Sequence, residues 1–305
     1  MMTNPKPITI VIPVYADWPS LKDCIESLKK YVGSHHNVML VNDCGPQASI
    51  LEKNIKEAIK HTDNFVYLKN SANLGFLKTC NRAVLELDKT KNDVLILNSD
   101  TIATEGFLEE MAAVLYDSPK IASVSPRTNN ATIATIPLSA AKQKGIDPKK
   151  SFAIFKKIKD TLPRYSEVPT THGFCMMIKR TVIDEYGLFD EVFGKGYGEE
   201  NDFCMRVQER GYKNVLANRA YVFHLEAKSF THETKSKMLE KNLQIMYQRH
   251  PNYRQQVRDY MEQALTKEVE IEKRVEVYSE TKTKKIKDAL KRNSKIRKIA
   301  RRLKC

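Results

Sequence analysis

Cysteine pairs at metal-binding or redox spacing are missing from this chain. Its six cysteines stand at positions 24, 44, 80, 175, 204 and 305, and none belongs to a C-x-x-C pair, which argues against a zinc ribbon or a dithiol redox centre. Cys24 and Cys80 fall at apolar positions of expected helices and Cys175 in an apolar strand-like run, so they read as buried free thiols suited to a reducing compartment. Long apolar runs are missing too. No stretch approaches the roughly 18 continuous apolar residues of a membrane span, and the opening Met1-Met2-Thr3-Asn4-Pro5-Lys6 is too short and polar for a secretory signal. A cytoplasmic protein is therefore expected. No internal repeat is visible, which excludes solenoids and propellers.

Acidic residues are scarce at one end only. The formal charge is +14, but residues 281–305 hold twelve Lys and Arg against the single acid Asp288, so this tail carries +11 and everything before it only +3. The body is nearly balanced, and the basicity belongs to an appendage. The tail contains no aromatic residue on which bases could stack, which argues against nucleic acid as its partner. Ile286, Ala289, Leu290, Ile296, Ile299, Ala300 and Leu303 gather on or near one helical side with Lys and Arg around them. Such a basic amphipathic helix is expected to lie on an anionic membrane surface. A solvated helix or one that forms a homo-oligomer is the competing reading.

A chain of 305 residues, 41% of them hydrophobic, can bury a full core, and one large α/β domain with a smaller appendage is expected. In the first half, short β-branched runs alternate with amphipathic helices, the pattern of a largely parallel sheet covered on both faces. The strands are Ile8 to Tyr15, Val38 to Asp43, Phe65 to Leu68, Val94 to Leu97 and Ile121 to Ser125. The fourth is the most uniformly apolar and is placed at the centre, whereas Pro13 is expected to push the end of the first toward an edge or bend. Ser20 and Asp23 read as a cap pair for the first helix, and Ile50, Ile55 and Ile59 are read as lying in the second. Residues 127–168 have weak periodicity and read as an irregular excursion over the site. Order returns at Phe174 to Ile178, in a helix from about Glu200 to Gly211, and in two short runs, Val215 to Ala217 and Ala220 to Phe223. Residues 233–262 read as helical, interrupted at Pro251.

Ligands of a parallel α/β sheet bind beyond the carboxyl ends of its strands. There the chain places Pro13 and Tyr15 after strand one, Asp43 after strand two, Asn73, Gly75 and Asn81 after strand three, and Ser99 and Asp100 after strand four. Asp43 can accept the ring N–H of uracil or thymine, with Tyr15 shaping the pocket; its competing role is a helix cap. The Asn73-Leu74-Gly75 turn, with Asn81 six residues on, suits a ribose or phosphate. Asp100 stands where a carboxylate meets a cation that bridges two phosphates, and His224, after another strand-like run, can complete that shell. Glu199, Glu200 and Asp202 crowd three carboxylates into the first turn of a helix. Crowding of this kind raises at least one proton affinity, as a general base requires, and Glu200 is assigned that role. Asp202 and Arg206, one turn apart, are expected to pair. A carboxylate, an acidic helix start and an imidazole in this order read as glycosyl transfer from a nucleotide sugar.

The same residues resemble the inverting family 2 glycosyltransferases of the GT-A fold, in particular bacterial rhamnosyltransferase-like and O-antigen or polysaccharide transferases. The resemblance runs from Ile8 to about Ser229. It implies that Pro13-Val14-Tyr15 and Asp43 bind the nucleoside, that Asn73-Leu74-Gly75 with Asn81 is the polar helix entry, and that Leu97-Asn98-Ser99-Asp100-Thr101 is the metal-binding D-x-D region. It further implies that Gly173-Phe174-Cys175-Met176 is the acceptor-side strand, that Glu200 is the catalytic base, and that His224 contacts the metal, Mg2+ or Mn2+, before a Ser229-Phe230 turn; Glu199, Asp202, Arg206 and Gly173 are read as acceptor or positioning residues, Asp202 partly for positioning. Two departures stand out. Asn98 replaces the first Asp of the fuller D-x-D pattern, and Glu200 stands where an Asp is common, one methylene longer.

The expected architecture is a Rossmann-like, mostly parallel central sheet flanked by helices, with a C-terminal helical extension. The expected boundaries are 1–232 for the transferase domain (1–126 nucleotide-binding, 127–232 acceptor-binding), 233–280 for the helical extension and 281–305 for the basic tail. The expected reaction moves a sugar from a UDP- or dTDP-sugar to a hydroxyl of a saccharide or lipid-linked saccharide in cell-surface polysaccharide synthesis, on the inner face of the cell membrane. A nucleotidyltransferase would want a glycine-rich, Lys- or Arg-bearing loop after strand one, where Tyr15-Ala16-Asp17-Trp18-Pro19 stands instead. A noncatalytic sugar- or nucleic-acid-binding protein is the reading from another class.

Overall fold

Period-two alternation decides the layers. In β1 (Ile8–Val14) every residue is buried; Ile8, Ile10, Ile12 and Val14 pack against α1 (Trp18–Tyr31), α2 (Ala48–Ile59) and α4 (Phe107–Leu115). Val11 points the other way, into the layer of α3 (Phe76–Asn81), α6 (Arg180–Tyr186) and α7 (Glu199–Glu209). Each such side chain contributes about 2 kcal/mol by leaving water. A strand buried on both faces in this way belongs to a sheet sandwiched between helices.

The computed structural model describes residues 6–137, 146–225, 232–263 and the single positions 266, 270 and 273. Among them, one sheet runs in the order β3-β2-β1-β4-β8-β6-β9-β5, with β7 on β9. The remaining strands are β2 (Asn37–Asn42), β3 (Phe65–Lys69), β4 (Asp93–Leu97), β5 (Thr101–Ala103), β6 (Ile121–Arg127), β7 (Tyr165–Val168), β8 (Cys175–Ile178) and β9 (Lys213–His224). Strands β3, β2, β1 and β4 are mutually parallel. β8 runs antiparallel between β4 and β6, and β9 is parallel to β6.

These directions place the site. Because β8 is antiparallel, its first residue, Cys175, lies opposite Leu97 at the end of β4. β6 and β9 again run parallel to β4, so the end of β9 reaches the same edge, where His224 stands in register with Thr101 of β5. The loops after β1 and β2 also touch: a Cβ at Gly45 would lie 1.9 Å from the Tyr15 carbonyl oxygen, a contact that only glycine permits.

Several local expectations are corrected. Pro13 does not end an edge strand; it pairs with Val41 inside the sheet, two residues past the end of the β4 ladder at Val11, so its missing N–H costs that ladder nothing. α1 starts one turn before the expected cap pair, and Ser20 donates to Asp17 at 2.7 Å while Asp23 lies within the helix. Ile50, Ile55 and Ile59 lie in α2 as expected, where Leu51, Ile55 and Ile59 are buried and Ile50 is 60% exposed. The two runs after Gly211 form a single strand, β9, whose apolar run is interrupted by Asn218 and Arg219. Asn218 is fully buried because it accepts from Arg127 and donates to Pro163 and Ser166. Within 127–168, α5 (Pro148–Ile158) and β7 are regular; positions 138–145 lie outside the described residues. α8 (His232–Arg249) stops before Pro251, and residues 253–263 are helical beyond it. The Ser229-Phe230 turn and the tail at 281–305 lie outside the described residues. No described helix is long and apolar enough to cross a membrane, and Cys24, Cys80 and Cys175 are buried free thiols as expected.

Candidate active site

Asp100 and His224 meet at the sheet edge. His224 Nε2 lies 3.6 Å from Asp100 Oδ1. The imidazole is oriented from behind, its Nδ1 lying 2.9 Å from the Asn130 carbonyl. A carbonyl only accepts, so Nδ1 carries a proton, and Nε2 is the ring nitrogen that faces Asp100. The His224 backbone is held too, through a reciprocal pair with the Asn129 side chain at 2.9 Å in each direction. A carboxylate oxygen and an imidazole nitrogen at this separation fit two ligands of one divalent cation, which lie about 3 Å apart when both bind Mg2+ at about 2.1 Å. No cluster of three or more His, Cys, Asp or Glu positioned for a metal forms among the described residues.

Phe174 joins this pair to the acidic cluster. Its ring stacks on His224 with centroids 4.9 Å apart and planes 15° from parallel, and its carbonyl accepts from the Asn98 amide at 2.8 Å. The neighbouring Gly173 faces Glu200, whose Cγ and Cδ would lie 3.8 Å from a Cβ at that glycine. Asp100, His224, Phe174, Gly173 and Glu200 thus form one continuous line of contacts.

Glu199 and Glu200 open α7 behind Gly198, which takes φ 107°. The helix dipole favours anions at this end, and Glu200 also accepts from the Gly198 amide at 3.3 Å. Burial nevertheless raises the Glu200 carboxyl above its usual range. Glu199 is pushed well above that range, first by burial and then by the charge of Glu200. It is 4% exposed, and its Oε2 has no hydrogen-bond partner among the described residues.

Other expected site residues prove to organise the scaffold. Asp43 is buried. Its Oδ1 accepts from Asn70 and the Leu74 amide at 2.8 Å and its Oδ2 from the Gly75 amide at 2.9 Å. About four lone-pair positions exist on a carboxylate; two hold the amides of the Asn73-Leu74-Gly75 turn, one holds the Asn70 side chain, and the fourth, on Oδ2, has no donor among the described residues. Asn81 turns away from the ligand edge, donating to the Phe189 carbonyl and accepting its amide. Asp202 is fully buried and receives Arg206, Arg249 and His250 at 2.8, 3.2 and 3.0 Å. Arg206 continues to the carbonyls of Tyr186 and Leu188. Together they tie α7 to α8 and to the chain around Tyr186 and Leu188, which agrees with the expected positioning role. Tyr15, Asn73 and Ser99 stand at the ligand edge of the sheet, Asn73 exposed.

Several residues escaped the sequence. Asn129 and Asn130, which orient His224, follow the end of β6 in a segment without periodicity; their only signal was a polar pair just past a strand end. His172 lies beside Gly173, its Nε2 buried without a partner among the described residues. Burial, then the charges of His224 and Arg127, lower it to about 4, so it is neutral at physiological pH.

A model described as Glycosyl transferase family 2 matches residues 9–187. Solved structures of similar fold include GalNAc-T7 with UDP, GalNAc and Mn2+ (15% identity over 81% of this chain and 52% of that one, TM-score 0.60). Two more are the mannosyltransferase PcManGT from Pyrobaculum calidifontis with GDP-Man and Mn2+ (12% identity, 97% and 83%, TM-score 0.61) and S. aureus TarS 1-349 (15% identity, 79% and 72%, TM-score 0.50). Such identities show a shared fold, and the chain spans about half the length of the GalNAc-T7 chain. No curated protein matches this one.

Proposed function

The chain belongs to glycosyl transferase family 2, and from that premise we propose that it carries a sugar, with inversion, from a nucleoside diphosphate donor to a hydroxyl of a saccharide or lipid-linked saccharide. The observation that carries the reading is the line of contacts from Asp100 and His224 through Phe174 and Gly173 to Glu200. It links Asp100 and His224 to the half-buried Glu200 carboxylate, which stands 100 residues after the first and 24 before the second. UDP- and dTDP-sugars are the first donors to consider, because one lone pair of Asp43 suits a ring N–H.

In the reaction Glu200 takes the proton of the acceptor hydroxyl, and the oxygen attacks the anomeric carbon from the face opposite the nucleoside diphosphate. The bond to the diphosphate breaks and the configuration inverts. Burial suits Glu200 to this work, since a carboxylate whose proton affinity lies nearer the working pH is the stronger base. A bound Mg2+ or Mn2+ ion, held by Asp100 and His224, would neutralise charge on the departing diphosphate. Gly173 leaves room beside Glu200 for the acceptor. Neutral Glu199 keeps a second negative charge away from the base.

A role in cell-surface polysaccharide synthesis at the inner face of a membrane rests on the basic tail and on the resemblance to polysaccharide transferases. Incubation with a panel of UDP-, dTDP- and GDP-sugars and Mn2+, followed by NMR of the product's anomeric proton, tests the reading. Donor consumption that stops on chelation and gives an inverted product is expected. A protein that binds but never consumes any donor would refute catalysis.

A further inference from the structure

Glu200 is delivered to the cleft by a segment with little of its own to hold it. Between Phe193 and Glu199 the chain reads Gly194-Lys195-Gly196-Tyr197-Gly198, with φ of 68°, 137°, 71° and 107° at Gly194, Gly196, Tyr197 and Gly198. Four left-handed residues in five form neither helix nor sheet ladder, so most of this loop's carbonyls need partners from elsewhere. One side chain reaches two of them, and the carbonyl just before the loop. The two N–H groups of Asn242 Nδ2 are shared among the carbonyls of Phe193, Gly196 and Tyr197, at 3.0, 2.8 and 2.8 Å. Asn242 is 4% exposed and sits on α8, outside the family-matched residues 9–187.

The loop lies between the two halves of the proposed cleft. On the donor side, Lys195 covers the turn organised by Asp43: a Cβ at Gly75 would stand 3.1 Å from the Lys195 Cα. On the acceptor side, the loop leads directly into Gly198 and the first turn of α7, where Glu200 faces Gly173. We propose that Asn242 is a positioning residue of the transfer reaction, gathering these three carbonyls so that the start of α7 holds Glu200 against Gly173. The docking of α8 has a separate origin, since Arg249 and His250 bind Asp202 at 3.2 and 3.0 Å. Loss of the Asn242 amide therefore frees the loop while the helix stays in place.

This inference rests on the transferase reading, and its test separates the two. Asn242→Ala removes the donor, and the isosteric Asn242→Asp sets acceptors against acceptors and serves if the alanine variant fails to fold. Leu243→Ala, at an exposed neighbouring position, is the control. Amide hydrogen exchange over residues 193–201 should accelerate at least tenfold in both Asn242 variants and not in the control. With a donor that the parent turns over, kcat should fall at least tenfold while donor KM stays within threefold. The acidic limb of the kcat profile should move to lower pH as Glu200 loses its shielding. Exchange at 193–201 equal to that of the parent overturns the inference whether or not any donor is turned over. Unchanged kcat and an unmoved acidic limb overturn it as well, whereas a parent inert toward every donor counts against the transferase reading alone.

Discussion

Glu199 and Glu200 are adjacent carboxylates that their surroundings set to different work. Glu200 faces Gly173, at the end of the line that starts at Asp100 and His224; Glu199 is buried, and its Oε2 has no hydrogen-bond partner among the described residues. Glu200→Gln should lower kcat at least about 100-fold, the span of general-base catalysis, and leave donor affinity by calorimetry unchanged. In the parent, activity should rise with pH as Glu200 loses its proton, and because burial raises that proton affinity the limb should lie above the usual carboxylate range. For Glu199 the linkage runs through stability. Its folded proton affinity exceeds the unfolded one, so the stabilisation from burying the neutral carboxyl is complete below the unfolded value and lost as pH rises through the folded one. Glu199→Gln should therefore match the parent in melting temperature at acid pH and exceed it increasingly as pH rises. The crowding of carboxylates was legible in the sequence, since three acids in four positions must repel. Which of them faces Gly173 was not, because that depends on the fold bringing Gly173 to Glu200 and Gly196 to Glu199.

At the scale of elements, the pairing of Asp202 with Arg206 follows from one helical turn of spacing, and the structure has it at 2.8 Å. Arg249 and His250 are over forty residues further on, and no local pattern links them to Asp202; packing of α8 across α7 brings them there. Asp202→Ala would leave buried His250 and the two guanidinium groups without their shared anion. A loss of about 3 kcal/mol, the lower end for breaking a buried ion pair, is expected in urea unfolding, with detachment of α8 as its local sign. Asn81 teaches the same lesson. Its place in a polar helix entry suggested a ligand contact, and only the fold shows that the Phe189 backbone takes both ends of its amide. β9 was read as two runs because Asn218 and Arg219 break its apolar pattern, yet Asn218 is buried once Arg127, Pro163 and Ser166 satisfy it.

For the whole molecule, a nearly neutral body and a strongly basic end predict where an anionic surface would act. Residues 281–305 hold twelve basic side chains, each attracted by about 1 kcal/mol when near an anionic leaflet. Deletion of this segment should abolish sedimentation with phosphatidylserine vesicles at low salt and leave transfer to a soluble acceptor intact; equal sedimentation would refute membrane docking. The strands of the first half, the helices between them and the collection of polar residues at their carboxyl ends were decided by local chemistry alone, because period-two and period-3.6 burial patterns and strand-end turns are written in neighbouring residues. The antiparallel insertion of β8, the meeting of His224 with Asp100 and the capture of the Glu200 loop by Asn242 were decided only by tertiary structure. Each joins segments tens to more than a hundred residues apart, and such contacts form only when the sheet has set the direction and order of its strands.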